Sequence, residues 1–491
     1  MASEKGFYAG TRSFSWLAEL THLPIDQVNF LVCQFTALGF AILYRKAFCP
    51  QKVSTEIRHV VAFTIGFGLG YFCFDSNQIS HLVMQTTLSY LIMNYVSPHI
   101  MHRLVLFVSL VYLSSMHLMR LTYDYGGWTV DVTGPLMITT QKVSSLAFNL
   151  HDGLCQSEEK MTPEQRKRAV RHIPTLLEFF SYIFHFQALM CGPLVFYSDY
   201  VDFVEGKSFV KDISPSAVVL RKVSVSIFCA LFLITIVPFF PITYLQDPKF
   251  LNNTPWHGIQ WLYSDGHSKW DLMSNVDIIR FEFSLNFRET LETWNKSTQM
   301  WLRFIAYDRA PSHKTLWTYV LSALWHGFYP GYYFTFLGGA IFTLAARSIR
   351  RSIRPLFQGK RSTSRLYDII TCITTRIALA YIVFPFILLE CHASLAVYMK
   401  FYFSGHWLAL AAIFLLPYFI PAMVKSTTLG LRKRPQVKYK KILVLIGDIQ
   451  DNYFCEKISF SKILNMHRFQ KKGLQRVAAF ERILFLLPFR L

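Results

Sequence analysis

The sequence predicts an all-α protein, a polytopic membrane helical bundle with about 10–11 membrane segments, some re-entrant or broken. Three observations predict it. Apolar residues make up 52% of the 491 and charged residues only 16%, with a mean hydropathy of +0.29; soluble proteins carry about 25% charged residues. Apolar runs approach the ~20 residues that cross a hydrocarbon core of about 30 Å at 1.5 Å per residue. Those runs are continuous rather than alternating, which argues against a closed barrel.

The segments follow in order. Residues 28–44 form the first apolar run and 60–74 the second, which carries Gly66, Gly68 and Gly70. Small residues of that kind allow close helix approach. Runs 79–95 and 104–119 come next. Segment 136–150 is interrupted by Gln141, Lys142 and Asn149, so it reads as buried or re-entrant rather than lipid-facing. Runs 176–196, 223–240, 316–328, 332–346, 369–389 and 407–424 complete the series. Several are shorter than a straight crossing needs, which predicts tilted or broken helices.

Residues 1–27 are a mixed, polar N-terminal segment without the pattern of a cleavable signal peptide. The multi-span domain covers 28–424, and 425–491 is a basic tail whose apolar patches, 442–446 and 483–489, are too short to span. Lys and Arg number 50 against 30 Asp and Glu, a balance of +20. The excess sits in short loops and in the tail. That is the signature of cytoplasmic loops, and it also suits anionic headgroups or a phosphorylated substrate; no nucleic-acid partner is expected. Arg45, Lys46, Lys52 and Arg58 follow the first run, Arg347 to Arg365 form the most basic loop, and Lys425, Arg432, Lys433 and Arg434 open the tail. All three are expected on the cytoplasmic side. The nine cysteines form no close pair, so neither a disulfide framework nor a metal site is expected.

Two polar segments stand apart. Thr162-Pro163-Glu164-Gln165 has a cap, a proline at the first helical position and Gln three residues after the cap, which predicts a short basic surface helix. In 281–307, Glu289, Glu292, Lys296, Gln299 and Arg303 recur at steps of three and four. Leu291, Trp294, Thr298, Trp301 and Ile305 make the opposing stripe, with Asn295 at the boundary. This predicts one amphipathic helix, lying in an interface or lining a polar passage. Asn295-Lys296-Ser297 and Asn252-Asn253-Thr254 match glycosylation sequons. At Asn295 the flanking Trp294 and Trp301 argue for an embedded segment instead.

His326 closes the run 316–328, ahead of Pro330-Gly331. An ionisable side chain at membrane depth is costly and marks a functional site by default, and histidine exchanges a proton near neutral pH. The competing reading is a histidine satisfied by helix packing.

Trp294-Asn295, followed by Leu321-Ser322-Ala323-Leu324-Trp325-His326-Gly327-Phe328-Tyr329-Pro330-Gly331-Tyr332-Tyr333, resembles the membrane-bound O-acyltransferase superfamily. The stretches Leu23 to Phe30, Gln141 to Gly153, Gly192-Pro193 with Asp199-Tyr200, and Trp270-Asp271-Leu272 resemble its lysophospholipid acyltransferase branch, of the lysophosphatidylethanolamine and lysophosphatidylserine type. The resemblance implies transfer of a fatty acyl group from acyl-CoA, as co-substrate, to the free hydroxyl of a lysophospholipid in the endoplasmic reticulum membrane, without a bound cofactor. It implies His326 and Asn295 as the catalytic pair: His326 takes the hydroxyl proton, and Asn295 either positions a reacting group or donates to the developing oxyanion. Trp294, Trp325, Gln141, Ser145 and Asp152 fall in matching segments and are expected to line the substrates. No Ser or Cys elbow suggests a covalent acyl-enzyme. Homo-oligomerisation is left open.

Two alternatives stand beside this: the same chemistry on a sterol, diacylglycerol or peptide, and a non-catalytic membrane protein on the same scaffold. One departure from the branch is plain. Its members carry an additional segment before the position of Trp270, where this chain has only a polar linker near 245–269. An internally shortened form is expected, with reduced or absent activity.

Overall fold

The computed structural model describes residues 8–127, 129–207, 219–220, 223–225, 227, 275–277, 280–281 and 283–420. The runs 223–240 and 421–424, the Trp270-Asp271-Leu272 motif, the 245–269 linker, the Asn252 sequon and the tail 425–491 lie wholly or largely outside them.

A short helix α1 (Ser15–Thr21) precedes α2 (Ile25–Ala47), which has Asp26 in its first turn and Arg45 and Lys46 in its last, matching the helix dipole at both ends. Helix α3 (Thr55–Tyr95) starts on a Ser54 side chain that accepts from the Ile57 N–H. The two expected runs 60–74 and 79–95 are its two arms, joined at Asp75, where φ is 67°. Gly66 and Gly70 provide the expected close approach, and a Cβ at Gly66 would meet the Phe184 carbonyl; Gly68 faces open space. Helix α4 (Pro98–Tyr123) follows.

Helix α5 (Thr133–Cys155) is buried without a break from Thr139 to Leu150 and packs against α4, in line with the interrupted pattern of its sequence. Its Lys142 is satisfied by a helix end. The Nζ donates to the carbonyls of Tyr182 and Ile183 at 2.9 and 3.0 Å. Those carbonyls close α7 (Leu176–Ile183), and a cation at a helix C-terminus meets unpaired acceptors and the negative end of the dipole. Between them lies α6 (Pro163–Arg168), with the capping box expected at Thr162 and Gln165.

The run 176–196 is not a spanning helix. It is helical only through Ile183, and Gly192 at φ 76° followed by Pro193 keeps the chain from resuming a helix before α8 (Tyr197–Val204). After the undescribed stretch come α9 (Phe287–Thr293), α10 (Lys296–Leu302) and a π-helical turn (Arg303–Tyr307). Then follow α11 (Lys314–His326), α12 (Pro330–Ser352), α13 (Arg354–Phe357), α14 (Arg361–Leu388), α15 (Cys391–Lys400) and α16 (Ser404–Phe414).

Among the described residues four helices, α2, α3, α4 and α14, are long and apolar enough to cross a membrane. A fifth crossing arises if Cys391–Lys400 and Ser404–Ile420, bent by 73°, count as one. Of the other expected segments in the described residues, α5 is buried, 176–196 is broken, α11 has 13 residues, about 20 Å of helix, and α12 has 23 residues but is not apolar enough to pass. Exposed isoleucines at 369, 373 and 377 recur every fourth residue along α14 and give it an outward apolar face.

Candidate active site

His326 is the last residue of α11, and the helix stops there because Gly327 takes φ 114° and ψ −160°. Only glycine enters that region of backbone space readily. The imidazole Nδ1 lies 2.7 Å from the Ser322 carbonyl oxygen. A carbonyl only accepts, so Nδ1 carries the proton and the Nε2 lone pair is left as a base. Aromatic rings surround it: Trp325 at 4.6 Å, Phe336 at 4.7 Å, Phe386 at 5.4 Å and Tyr332 at 6.0 Å between centroids. Half-buried in this apolar box, His326 still presents surface.

Trp325 is an anchor. It is 4% exposed, its Nε1 donates to the Met137 carbonyl at 2.9 Å, and its ring packs on Trp301 at 5.9 Å. Trp301 in turn donates to Ser144 Oγ at 2.9 Å. His117 Nε2 donates to the Trp325 carbonyl at 3.2 Å. A Cβ on Gly327 would stand 3.1 Å from the His117 ring. On the far side, the Gly331 N–H donates to the Leu389 carbonyl at 2.9 Å, and a Cβ at Gly331 would lie 1.9 Å from the Pro385 carbonyl oxygen. Helices α12 and α14 therefore meet backbone to backbone beside the histidine.

The single amphipathic helix expected over 281–307 is broken. Asn295 sits at φ 47° and ψ 55°, between α9 and α10. Asparagine tolerates the left-handed region better than other side-chain-bearing residues. The break also has a long-range cause. The backbone carbonyl of Asn275 accepts from the Lys296 N–H at 2.7 Å, and its side-chain Oδ1 accepts from the Ser297 N–H at 3.0 Å and the Ser297 hydroxyl at 2.8 Å. Asn275 thus caps α10 from a distant strand of chain. Its Nδ2 donates to Asn295 Oδ1 at 2.9 Å. Trp294, beside it, is 52% exposed and packs on Phe281.

Gln141 and Ser145 are fully buried on α5. Gln141 Nε2 donates to Thr298 Oγ1 at 2.9 Å, while Gln141 Oε1 and Ser145 Oγ have no hydrogen-bond partner. Asp152 is committed elsewhere: Arg309 grips both of its oxygens at 2.9 and 2.5 Å, and Gln156 donates to one at 3.2 Å. That pair borders a cavity of about 550 Å³ lined by His102, Arg103, His151, Arg309 and Trp317, among others.

Helix α5 draws these pieces together, holding α10 through Gln141 and Ser144 and α11 through Met137. No hydrogen bond joins Asn295 to His326. Asn275, His117 and Arg309 escaped the sequence reading. Each acts across more than 100 residues or from outside any local pattern, and nothing in their immediate neighbours signals it.

The family described as MBOAT, membrane-bound O-acyltransferase family, matches residues 118–264 and 254–384. Lysophospholipid acyltransferase 6 of Drosophila melanogaster is 42% identical over 468 residues, which take in 85% of this chain and 65% of that protein. The chain therefore spans slightly under two thirds of that relative's length. Membrane-bound glycerophospholipid O-acyltransferase 2 of Homo sapiens is 37% identical over 451 residues, 82% of this chain and 86% of that protein. Membrane-bound glycerophospholipid O-acyltransferase 1 of Homo sapiens is 35% identical, over 82% and 91%. With the family match, these relatives and the apolar helices described above, the chain belongs to the membrane-bound O-acyltransferase family and is a multi-pass membrane protein.

Proposed function

We propose that this chain is a lysophospholipid acyltransferase of the endoplasmic reticulum membrane, moving a fatty acyl group from acyl-CoA to the free hydroxyl of a lysophospholipid. The observation that carries it is the tautomer of His326: Nδ1–H is held by the Ser322 carbonyl, so Nε2 is a free base inside an aromatic box. The acceptor oxygen attacks the thioester carbonyl carbon, forming a C–O bond as the C–S bond breaks. Its proton passes to His326 Nε2 and then to the thiolate sulfur of CoA. Asn295 positions a reacting group or donates to the oxyanion. Exposed Trp294 offers a flat apolar face next to Asn295. Gln141 and Ser145 are assigned to the acceptor side, each with a buried polar atom that has no hydrogen-bond partner. Trp325 and Asp152 serve by holding helices in place.

The test is acyl-CoA consumption by the purified full chain with a panel of lysophospholipids, beside His326→Ala. Loss of a general base typically costs about 10²–10⁴ in rate. A folded His326→Ala chain with near-parent turnover, or a parent that consumes no acyl-CoA with any acceptor, would overturn the reading.

A second observation bears on the rate. The family match falls into two pieces that meet at 254–264, where the sequence reads as shortened. The alignment to the human relative runs over 451 positions but takes in 82% of this 491-residue chain, so it includes positions that this chain lacks. If the absent stretch is a membrane helix, its loss would remove packing contacts and admit water. Grafting a relative's segment into this linker is expected to raise turnover at equal expression.

A further inference from the structure

We propose that Asn275 is a positioning residue that fixes the side chain of Asn295 as a hydrogen-bond donor. The inference rests on the proposed acyl transfer and assigns the role that the sequence leaves open for Asn295. Its logic is a relay with one unambiguous end. In a side-chain amide the oxygen and nitrogen are assigned from their partners. The Ser297 backbone N–H only donates, so the Asn275 atom 3.0 Å from it is the oxygen. The other Asn275 atom is then the NH₂ group, and it donates to Asn295 at 2.9 Å. The Asn295 atom that receives it is therefore the oxygen. That leaves the Asn295 Nδ2, with two N–H groups, to face whatever binds there.

The arrangement suits a thioester carbonyl oxygen, which accepts hydrogen bonds and gains negative charge as the acceptor attacks. An amide turned the other way would offer a second acceptor and repel that oxygen. The left-handed backbone at Asn295 holds the side chain at the joint of two short helices, and Asn275 sits outside both. The rest of its hydrogen bonding goes to Lys296 and Ser297, so α10 and the Asn295 amide are set by the same residue.

Asn275→Asp separates the two jobs. A carboxylate keeps the acceptor for the Ser297 N–H, and an anion at a helix N-terminus is favourable, so the cap persists. It has no N–H to give to Asn295. The Asn295 amide then turns over, offers its own N–H to Asp and presents its oxygen to the substrate. In the full chain, turnover and KM for acyl-CoA and lysophospholipid are measured for Asn275→Asp, Asn295→Ala and the double variant, with melting midpoints. Removing an oxyanion donor costs about 10²–10³ in kcat. Asn275→Asp is expected to lose kcat on that scale with KM within about threefold of the parent and the midpoint unchanged. In the Asn295→Ala background it should cost nothing further, because the group it orients is gone. Asn275→Asp with parental kcat, or an equal loss in both backgrounds, including one caused by poor folding, makes Asn275 a purely structural cap and overturns the inference. Full turnover in Asn295→Ala instead fails the reading of Asn295 itself, a result obtained without touching Asn275, and overturns the inference with it.

Discussion

Gly327→Ala puts the geometry of the histidine to the test without altering any functional group. Gly327 holds φ 114° and ψ −160°, a region that costs a side-chain-bearing residue about 1–3 kcal/mol. The added methyl would stand 3.1 Å from His117 Cγ and 3.2 Å from its Nδ1, so the imidazole must retreat by a few tenths of an ångström. Its bond to the Trp325 carbonyl is already 3.2 Å long, and losing a hydrogen bond of this kind costs about 0.5–1.5 kcal/mol. Together these give roughly 1.5–4.5 kcal/mol. If the backbone relaxes instead, the C-terminal turn of α11 rotates and carries His326 with it. A displacement near 1 Å in a catalytic group can cost about 10² in rate. The assay pairs the thermal midpoint of detergent-solubilised chain with acyl-CoA turnover, using Gly338→Ala as control. At Gly338 the methyl would meet Ile382 at 3.7 Å, an ordinary contact in the interior of α12, where alanine is favoured by about 0.5–1 kcal/mol. Gly327→Ala with the parent's midpoint and the parent's kcat would refute the reasoning.

Three further outcomes are expected. Asn295→Ala should lower kcat by about 10²–10³ if the amide donates to the oxyanion, and Asn295 should carry no glycan; a glycosidase-sensitive mass shift mapped to it would place it in the lumen. Asp152→Ala strands the largely buried Arg309 guanidinium, and breaking a buried pair costs about 3–5 kcal/mol; a lowered midpoint with KM unchanged is expected, whereas a raised lysophospholipid KM at full stability would return Asp152 to the substrate. Single cysteines placed between 347 and 365, or between 425 and 434, should label only from the cytoplasmic side, as positive-inside bias requires, and lumenal labelling of either would break the topology.

What the sequence reveals is what its local pattern encodes. Continuous apolar runs correspond to α2, α4 and α14, because composition alone makes them lipid-compatible. Gln141, Lys142 and Asn149 mark α5 as interior for the same reason in reverse: no lipid-facing helix would carry them. His326 is legible through its place between an apolar run and Pro330-Gly331. The break at Asn295 is not. The step-of-three-and-four pattern of Glu289, Glu292, Lys296 and Gln299 runs unbroken across it, and the residue that imposes the break, Asn275, bonds from 20 positions upstream. The 176–196 run misleads because hydropathy registers phenylalanines and leucines but not the backbone turn at Gly192-Pro193. The Asp152–Arg309 pair is not legible either, because its members lie 157 residues apart and no local pattern links them.

The contact of Gly331 with the carbonyl of Pro385 bears on how such an enzyme can change its diet. Helices α12 and α14 supply Phe336 and Phe386, two of the rings nearest His326. At Gly331 the two helices meet main chain to main chain, and beside that contact Tyr332 and Phe386 pack ring to ring at 4.5 Å. Exchanging Phe336 or Phe386 for a smaller side chain is therefore expected to reshape the space beside His326 while the Gly331 contact still holds the two helices together at that point. Any side chain at 331 would part α12 from α14, because its Cβ would fall on the Pro385 carbonyl oxygen.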